Sequence, residues 1–283
     1  MVDKNVYQAD RETAWCPGCG NFPLRTALAD ALAEMDLKPE EVTMYTGIGQ
    51  AAKMPHYIKV NGFNGLHGRS IPPAIGMRVA NPEMTVIVES GDGCSYGEGG
   101  NHILHNMRRN PDIIHLVHDN QIYGLTKGQA SPTSVEELRT PVQTHGVNAE
   151  PLNPVSFAVG MKASFVARSS VGDREHLKEM IKEAKKHKGY ALIDVFQPCV
   201  SFNKINTYQW YNKRVYKLED HDPTDHAAAM KVAQEFGDEI PIGIIYREEK
   251  PTFRDRMPKL GDKALVKRDV QVKDLEYLID EFK

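Results

Sequence analysis

The stretch MTVIVESGDG at 84–93, followed 25 residues later by Asp119-Asn120, sets the architecture of this chain. Residues 84–89 read as a strand buried on both faces, apolar from Met84 to Val88 apart from Thr85, and the strand stops at Ser90-Gly91-Asp92-Gly93. Gly97, Gly99 and Gly100 then lead into a helical stretch over 101–109, and 113–118 reads as the next strand. Upstream, Leu24, Leu28, Ala31, Leu32 and Met35 make one stripe of a helix over 22–35. A strand over 42–46 follows and runs into Gly47-Ile48-Gly49. A helix over 72–80 carries its prolines in the first turn, where a missing N–H does no harm. Downstream come a polar loop over 120–133, a helix over 154–161, a strand over 164–167, a helix over 173–186 and a strand over 190–196. Strands alternating with helices predict an α/β fold, a mostly parallel sheet with helices on both faces. Such sheets bind ligands where strand ends open onto a crevice, here the loops beginning at Gly47, Gly91, Asn120 and Gln197.

The chain has 283 residues, 41% hydrophobic and 26% charged, the balance of a globular protein. Its net charge of −3, without a basic run, argues against nucleic acid and anionic membrane surfaces as partners. No apolar run approaches membrane-spanning length, and residues 1–11 are too polar for a signal-peptide core, so a cytoplasmic location is expected. Residues 1–200 read as one ligand-binding domain. Residues 201–283, with Tyr208, Trp210, Tyr211 and Tyr216, read as an extension that packs on that domain or on a partner subunit. Four cysteines are too few for a disulfide scaffold, which leaves Cys16-x-x-Cys19 for metal or redox chemistry.

Asp92 and Asn120 each follow a strand, so both point from strand ends into one crevice. A carboxylate, an amide oxygen and main-chain carbonyls are the hard donors that a Mg²⁺-bound diphosphate requires. Gly91 and Gly93 allow close approach of the backbone, and the following helix offers N–H groups to an anion. A Gly-Asp-Gly alone is an ordinary turn; the strand-terminal asparagine at this distance makes the pattern specific. It resembles the thiamine diphosphate motif, and the resemblance implies Asp92, the Asn120 side chain and the Ile122 carbonyl as the Mg²⁺ ligands.

The likeness extends further. WCPGCG at 15–20, LHGR at 66–69, DNQIYGLTKGQASP at 119–132, QPCVSFN at 197–203 and IPIGIIYREEKPTF at 240–253 resemble the β subunit of 2-oxoacid:ferredoxin oxidoreductases, closest to those acting on 2-oxoglutarate or a broad range of 2-oxoacids. The resemblance implies a thiamine diphosphate-binding fold and oxidative decarboxylation of a 2-oxoacid with coenzyme A. It also implies electrons leaving singly through an iron–sulfur cluster to ferredoxin, and an α subunit that completes the site. It places Ile48, Gly49, Gln50, Ala51, His67, Gly91, Gly93, Cys94, Gly124 and Leu125 at the cofactor, and gives His67 and Lys127 catalytic roles.

Four cysteines hold one 4Fe-4S cluster in that family. Cys16, Cys19 and Cys199 match three of them, whereas the fourth position, in the usual Gly-Ile-Gly-Cys, reads Gly47-Ile48-Gly49-Gln50. A neutral amide is a far weaker iron donor than a thiolate. A zinc knuckle or a free thiol pair is the plainer alternative for Cys16 and Cys19. Cys94 reads as a small buried residue beside the cofactor, away from the cluster. For His67 the alternative is a histidine bonded to nearby backbone, and for Lys127 a solvated surface charge. His102, His105, His115 and His118 read as packing or surface residues, and 178–188 as a solvated helix face. Two rival functions remain: a non-redox 2-oxoacid decarboxylase, which the missing thiolate would suit, and a silent cofactor-binding subunit.

Overall fold

The structure, a computed structural model, describes residues 2–269 and 276–283. In chain order, α1 (Asn21–Glu34), β1 (Val42–Thr46), β2 (Asn61–Asn64), α2 (Ile71–Ala80), β3 (Thr85–Gly91), α3 (Gly100–Arg109) and β4 (Ile113–Asp119) come first. They are followed by α4 (Pro154–Gly160), β5 (Phe165–Ser170), α5 (Arg174–Lys186), β6 (Tyr190–Phe196), α6 (Tyr208–Asn212), β7 (Val215–Lys217), α7 (His226–Gln234) and β8 (Ile240–Arg247). One eight-stranded sheet has the order β2-β1-β3-β4-β6-β5-β8-β7, and its only antiparallel pair among the described residues is β5 with β8. The α/β reading holds.

Alternation along the central strands sends side chains to two cores. Met44, Ile87 and Leu116 pack under α1 and α5, while Tyr45, Val86, Val88 and Val117 pack under α2, α3, α4 and α7. Leu24, Leu28 and Leu32 of α1 are fully buried, and truncating any one of them to alanine would cost about 2–5 kcal/mol. The charged run of α5 docks as well as solvates: Lys178 and Lys182 lie 2.8 and 2.9 Å from Glu34 of α1.

From β1 the chain steps outward to β2 and returns to β3 on the other side of β1, so the strand order reverses between β1 and β3. The loops at Gly47 and Gly91 flank that reversal, the place where a parallel sheet opens a crevice. β3 pairs Gly91 with His118, and β4 pairs Asp119 with Phe196, which sets the three loops after β3, β4 and β6 level.

Three differences from the sequence reading have physical causes. The fourth expected strand runs on through Arg168, Ser169 and Ser170, because these polar residues are buried, with Arg168 and Ser169 bonded to Ala233 and His176 on the covering helices α7 and α5. The irregular segment after β4 continues to Asn153, held by side-chain bonds such as Ser134 Oγ to the Gln121 carbonyl (2.6 Å). Between β3 and α3 the glycines form a π-helical turn, Gly93–Glu98. After residue 200 the chain adds β7 and β8 to the sheet edge, and Tyr211 stacks on Phe196 at 4.5 Å. Among the described residues no helix is long and apolar enough to cross a membrane.

Candidate functional site

Asp92, at the mouth of β3, is buried, and its carboxylate accepts from Thr133 Oγ1 at 2.7 Å. The same hydroxyl lies 2.8 Å from Asp119 Oδ1. A threonine has one proton to give, so the second contact requires a proton on a carboxyl group. Burial raises both acids, and Asp119 also feels Asp194 and Asp92, which lift it well above the usual carboxylate range. Asp194, pushed up to about 6 by burial, accepts from Tyr96 Oη at 2.7 Å. The fully buried Arg168 is their counter-charge; its guanidinium otherwise donates to the Ala233 and Glu235 carbonyls at 3.4 and 3.3 Å. Arg168 answers the charge of Asp194 and Asp119, which leaves the buried Asp92 as the carboxyl group at the crevice for a divalent cation.

The other proposed donors stand on the neighbouring loop. Asn120 Oδ1 accepts from the Ile122 N–H at 3.0 Å, an Asx turn that orients both residues, and its second lone pair is left for a metal. Tyr123 Oη donates to the Gly93 carbonyl at 3.2 Å, and a β-carbon on Gly93 would sit 2.3 Å from the Tyr123 ring, so only glycine fits. His67 Nδ1 lies 3.0 Å from Glu98 Oε2, and its ring is 5.9 Å from that of Tyr123. Cys94 is buried: its sulfur accepts from the Gly68 N–H at 3.2 Å and would meet a β-carbon on Gly47 at 2.3 Å. It therefore pins the Gly47 and His67 loops together. A β-carbon at Gly49, where φ is +125°, would meet no atom within 4 Å, and one at Gly91 only the His118 carbonyl at 3.9 Å, so the backbone there is open to a ligand. Ile48 and Leu125 stand 41% and 40% exposed, apolar groups with room to take a ring, and Ala51 is buried. These features fit a diphosphate cofactor held through a metal ion.

The sulfur half is built from loops. One cavity is lined by Cys16, Cys19, Cys199, Gln50, Asn120 and Gly124, among others. All three cysteines are free thiols, and burial raises the Cys19 pKa, with further increments from Cys199 and Cys16. Ser201 Oγ lies 3.1 Å from the Cys16 sulfur, and a β-carbon on Gly124 would be 3.7 Å from the Cys199 sulfur. Trp15 Nε1 donates to the Gln50 carbonyl at 2.9 Å, tying that loop to the Cys16 segment, while Gln50 Oε1 is buried without a hydrogen-bond partner. Soft thiols around a cavity with an orphaned oxygen fit an iron–sulfur group. Among the described residues no three His, Cys, Asp or Glu side chains converge on a single-ion site. Asn120 belongs to both halves, so the two donor sets share a wall.

Lys127 sits exposed, with φ +73°, at the tip of the turn closed by Tyr123 and Gln129. His115 and His118 are fully buried. His118 bridges Asn21 Oδ1 (2.7 Å) and, across the β3–β4 pair, Glu89 Oε1 (2.6 Å). Thr133, Asp119, Asp194 and Arg168 carry no local signal; only the strand pairing brings them together.

The chain matches the family described as "Thiamine pyrophosphate enzyme, C-terminal TPP binding domain" over residues 42–195, and over 199–262 the family of the C-terminal part of the pyruvate ferredoxin oxidoreductase β chain. It is 42% identical over 277 residues to 2-oxoacid:ferredoxin oxidoreductase 1, subunit beta, of Aeropyrum pernix, covering 91% of this chain and 86% of that one. It is 44% identical to the 2-oxoacid:ferredoxin oxidoreductase subunit beta of Saccharolobus solfataricus, covering 83% and 82%. Among solved structures, the 2-oxoglutarate:ferredoxin oxidoreductase of Magnetococcus marinus, with 2-oxoglutarate, coenzyme A and succinyl-CoA bound, aligns with a TM-score of 0.93 at 34% identity, over 100% of this chain and 96% of that one.

Proposed function

The chain belongs to the β subunits of 2-oxoacid:ferredoxin oxidoreductases, and on that premise we propose that with its α subunit it converts a 2-oxoacid, coenzyme A and two oxidised ferredoxins into acyl-CoA, CO₂, a proton and two reduced ferredoxins. 2-Oxoglutarate is the favoured substrate, since a solved relative that spans the whole chain was obtained with it. The observation that carries the reading is the wall shared by the buried Asp92 half and the three-cysteine cavity at Asn120.

Bound thiamine diphosphate supplies a nucleophilic carbon and an electron sink, and an iron–sulfur group supplies one-electron steps out. Asp92, Asn120 Oδ1 and the Ile122 carbonyl hold Mg²⁺ on the diphosphate, with Thr133 and Asp119 fixing the Asp92 carboxylate. Gly49, Gly91 and Gly93 let the backbone close on the cofactor. Ile48, Leu125 and Ala51 keep water from its ring, and the Cys94 sulfur holds the two loops above it. His67, whose Nδ1 lies 3.0 Å from Glu98 Oε2, donates to a phosphate or substrate oxygen. Lys127 pairs with the substrate carboxylate. Cys16, Cys19 and Cys199 hold the iron–sulfur group. The carboxylate that activates the aminopyrimidine comes from the α subunit.

Reduction of a viologen dye by the anaerobic complex, dependent on 2-oxoglutarate and coenzyme A, tests the reaction. Aldehyde release without dye reduction would favour the non-redox decarboxylase, the reading that Gln50 in place of a thiolate suits. Lys127→Ala is expected to raise KM by up to about a hundredfold with cofactor affinity unchanged, the size of a desolvated charge pair. An unchanged KM across several 2-oxoacids returns Lys127 to the surface.

A further inference from the structure

Three thiols line a single cavity together with the side-chain amides of Asn21, Gln50, Asn120 and Gln197, of which Gln50 Oε1 is buried without a hydrogen-bond partner, and a four-iron cube needs four donors. We propose that Gln50 Oε1 is the fourth protein donor of the iron–sulfur site, on the one iron the three thiolates leave uncovered. The inference rests on the iron–sulfur reading above and concerns what this chain has put in place of the missing cysteine.

The geometry of Gln50 is that of a held donor. Its carbonyl is clamped by the indole N–H of Trp15, the residue next to Cys16, so its main chain moves with the cysteine segment. Gly49 reaches it through a φ of +125°, which favours glycine, and the short helical turn Ala51–His56 begins immediately after it. Ala51, Ala52 and Met54 of that turn are buried, which keeps the loop from swinging away. Gln50 Oε1 is itself buried with no donor facing it, a state that costs about 1–3 kcal/mol if nothing binds the oxygen. A cation at that atom removes the cost.

An amide oxygen is neutral and harder than sulfur, so its iron is held less firmly than the three on thiolates. Loss of that iron leaves a three-iron cluster still tied by Cys16, Cys19 and Cys199. The step balances with a one-electron acceptor: the four-iron cluster releases Fe²⁺ and gives one electron to ferricyanide, leaving the oxidised three-iron form with its four sulfides.

The test loads the αβ complex anaerobically with ferrous iron and sulfide, as wild type, Gln50→Ala, Gln50→Glu and Gln50→Cys, then adds one equivalent of ferricyanide. Iron content and the paramagnetic signal of the three-iron form are followed in time. Wild type should lose a single iron per β chain, Gln50→Ala at least roughly tenfold faster, and Gln50→Glu and Gln50→Cys more slowly than wild type. Equal rates for wild type and Gln50→Ala, with iron bound in both, overturn the assignment of Gln50 and leave the iron–sulfur reading standing. Failure of all four forms, Gln50→Cys included, to take up iron overturns that reading and this proposal with it.

Discussion

The two halves of the crevice are made in opposite ways. The carboxylate half grows from the ends of β3 and β4: Asp92, Asp119, Asp194 and Thr133 are all buried, Thr133 bridging Asp92 and Asp119 while Asp194 bonds Tyr96. The sulfur half is gathered from loops at residues 15–20, 50 and 199, its Cys16 is exposed, and one of its donors has no partner. Hard, multiply charged chemistry needs rigid preorganisation, and strand ends give it. A covalent cluster brings its own geometry and can be clasped by loops that meet only after folding. The contrast makes the halves separable: damage to one should spare the other.

The largest effect is expected on the carboxylate side. Asp92→Ala removes the only anionic metal ligand proposed and leaves the Asn120 and Ile122 oxygens unable to neutralise Mg²⁺. Calorimetry should show the Mg²⁺-dependent affinity for thiamine diphosphate falling at least about a hundredfold, while iron uptake is retained. Tight binding by that variant breaks the comparison at once. Cys199→Ala is its mirror: most of the iron should be lost with thiamine diphosphate affinity intact, and loss of both would show the halves to be one cooperative unit.

The next effect is a pH dependence. His115, under the carboxylate half, bonds Ser95 and Tyr190, and burial pushes its pKa down to about 3. The unfolded chain takes up that proton below about pH 6.5 and the folded chain does not, so stability falls as pH falls from about 6.5 toward 3. At pH 5 the loss attributable to His115 is about 2 kcal/mol. Urea melts at pH 7 and pH 5 should show a loss smaller by that amount in His115→Gln; parallel losses would place His115 in contact with water. The smallest effect sharpens the comparison. Thr133→Val deletes the hydroxyl between Asp92 and Asp119 and should weaken Mg²⁺-dependent cofactor binding by about tenfold, with iron untouched.

What the sequence displays follows the same division. β1 and β6 lie where the apolar runs place them, and Gly91-Asp92-Gly93 with Asn120 is visible because spacing along one unit fixes relative position at strand ends. The cysteine cavity joins residues nearly the whole domain apart, and only the likeness to a family brought Cys16, Cys19, Gln50 and Cys199 together. Arg168 and His118 were hidden for another reason. In a sheet covered on both faces every side chain points into a core, so a polar residue must find its partner on a neighbouring strand or a covering helix, and a single-strand pattern names neither. Arg168 with Asp194, and His118 with Glu89, are such pairs.

The central claim is that the two halves work in series, the carboxylate half releasing electrons and the sulfur half receiving them. It is tested most directly by mixing the anaerobic αβ complex, loaded with Mg²⁺, thiamine diphosphate, iron and sulfide, with 2-oxoglutarate and coenzyme A in the absence of ferredoxin. The visible absorbance of the cluster should bleach in wild type and stay unchanged in Asp92→Ala. A wild-type complex with full cofactor and iron content whose cluster stays oxidised while substrate is consumed would contradict the account.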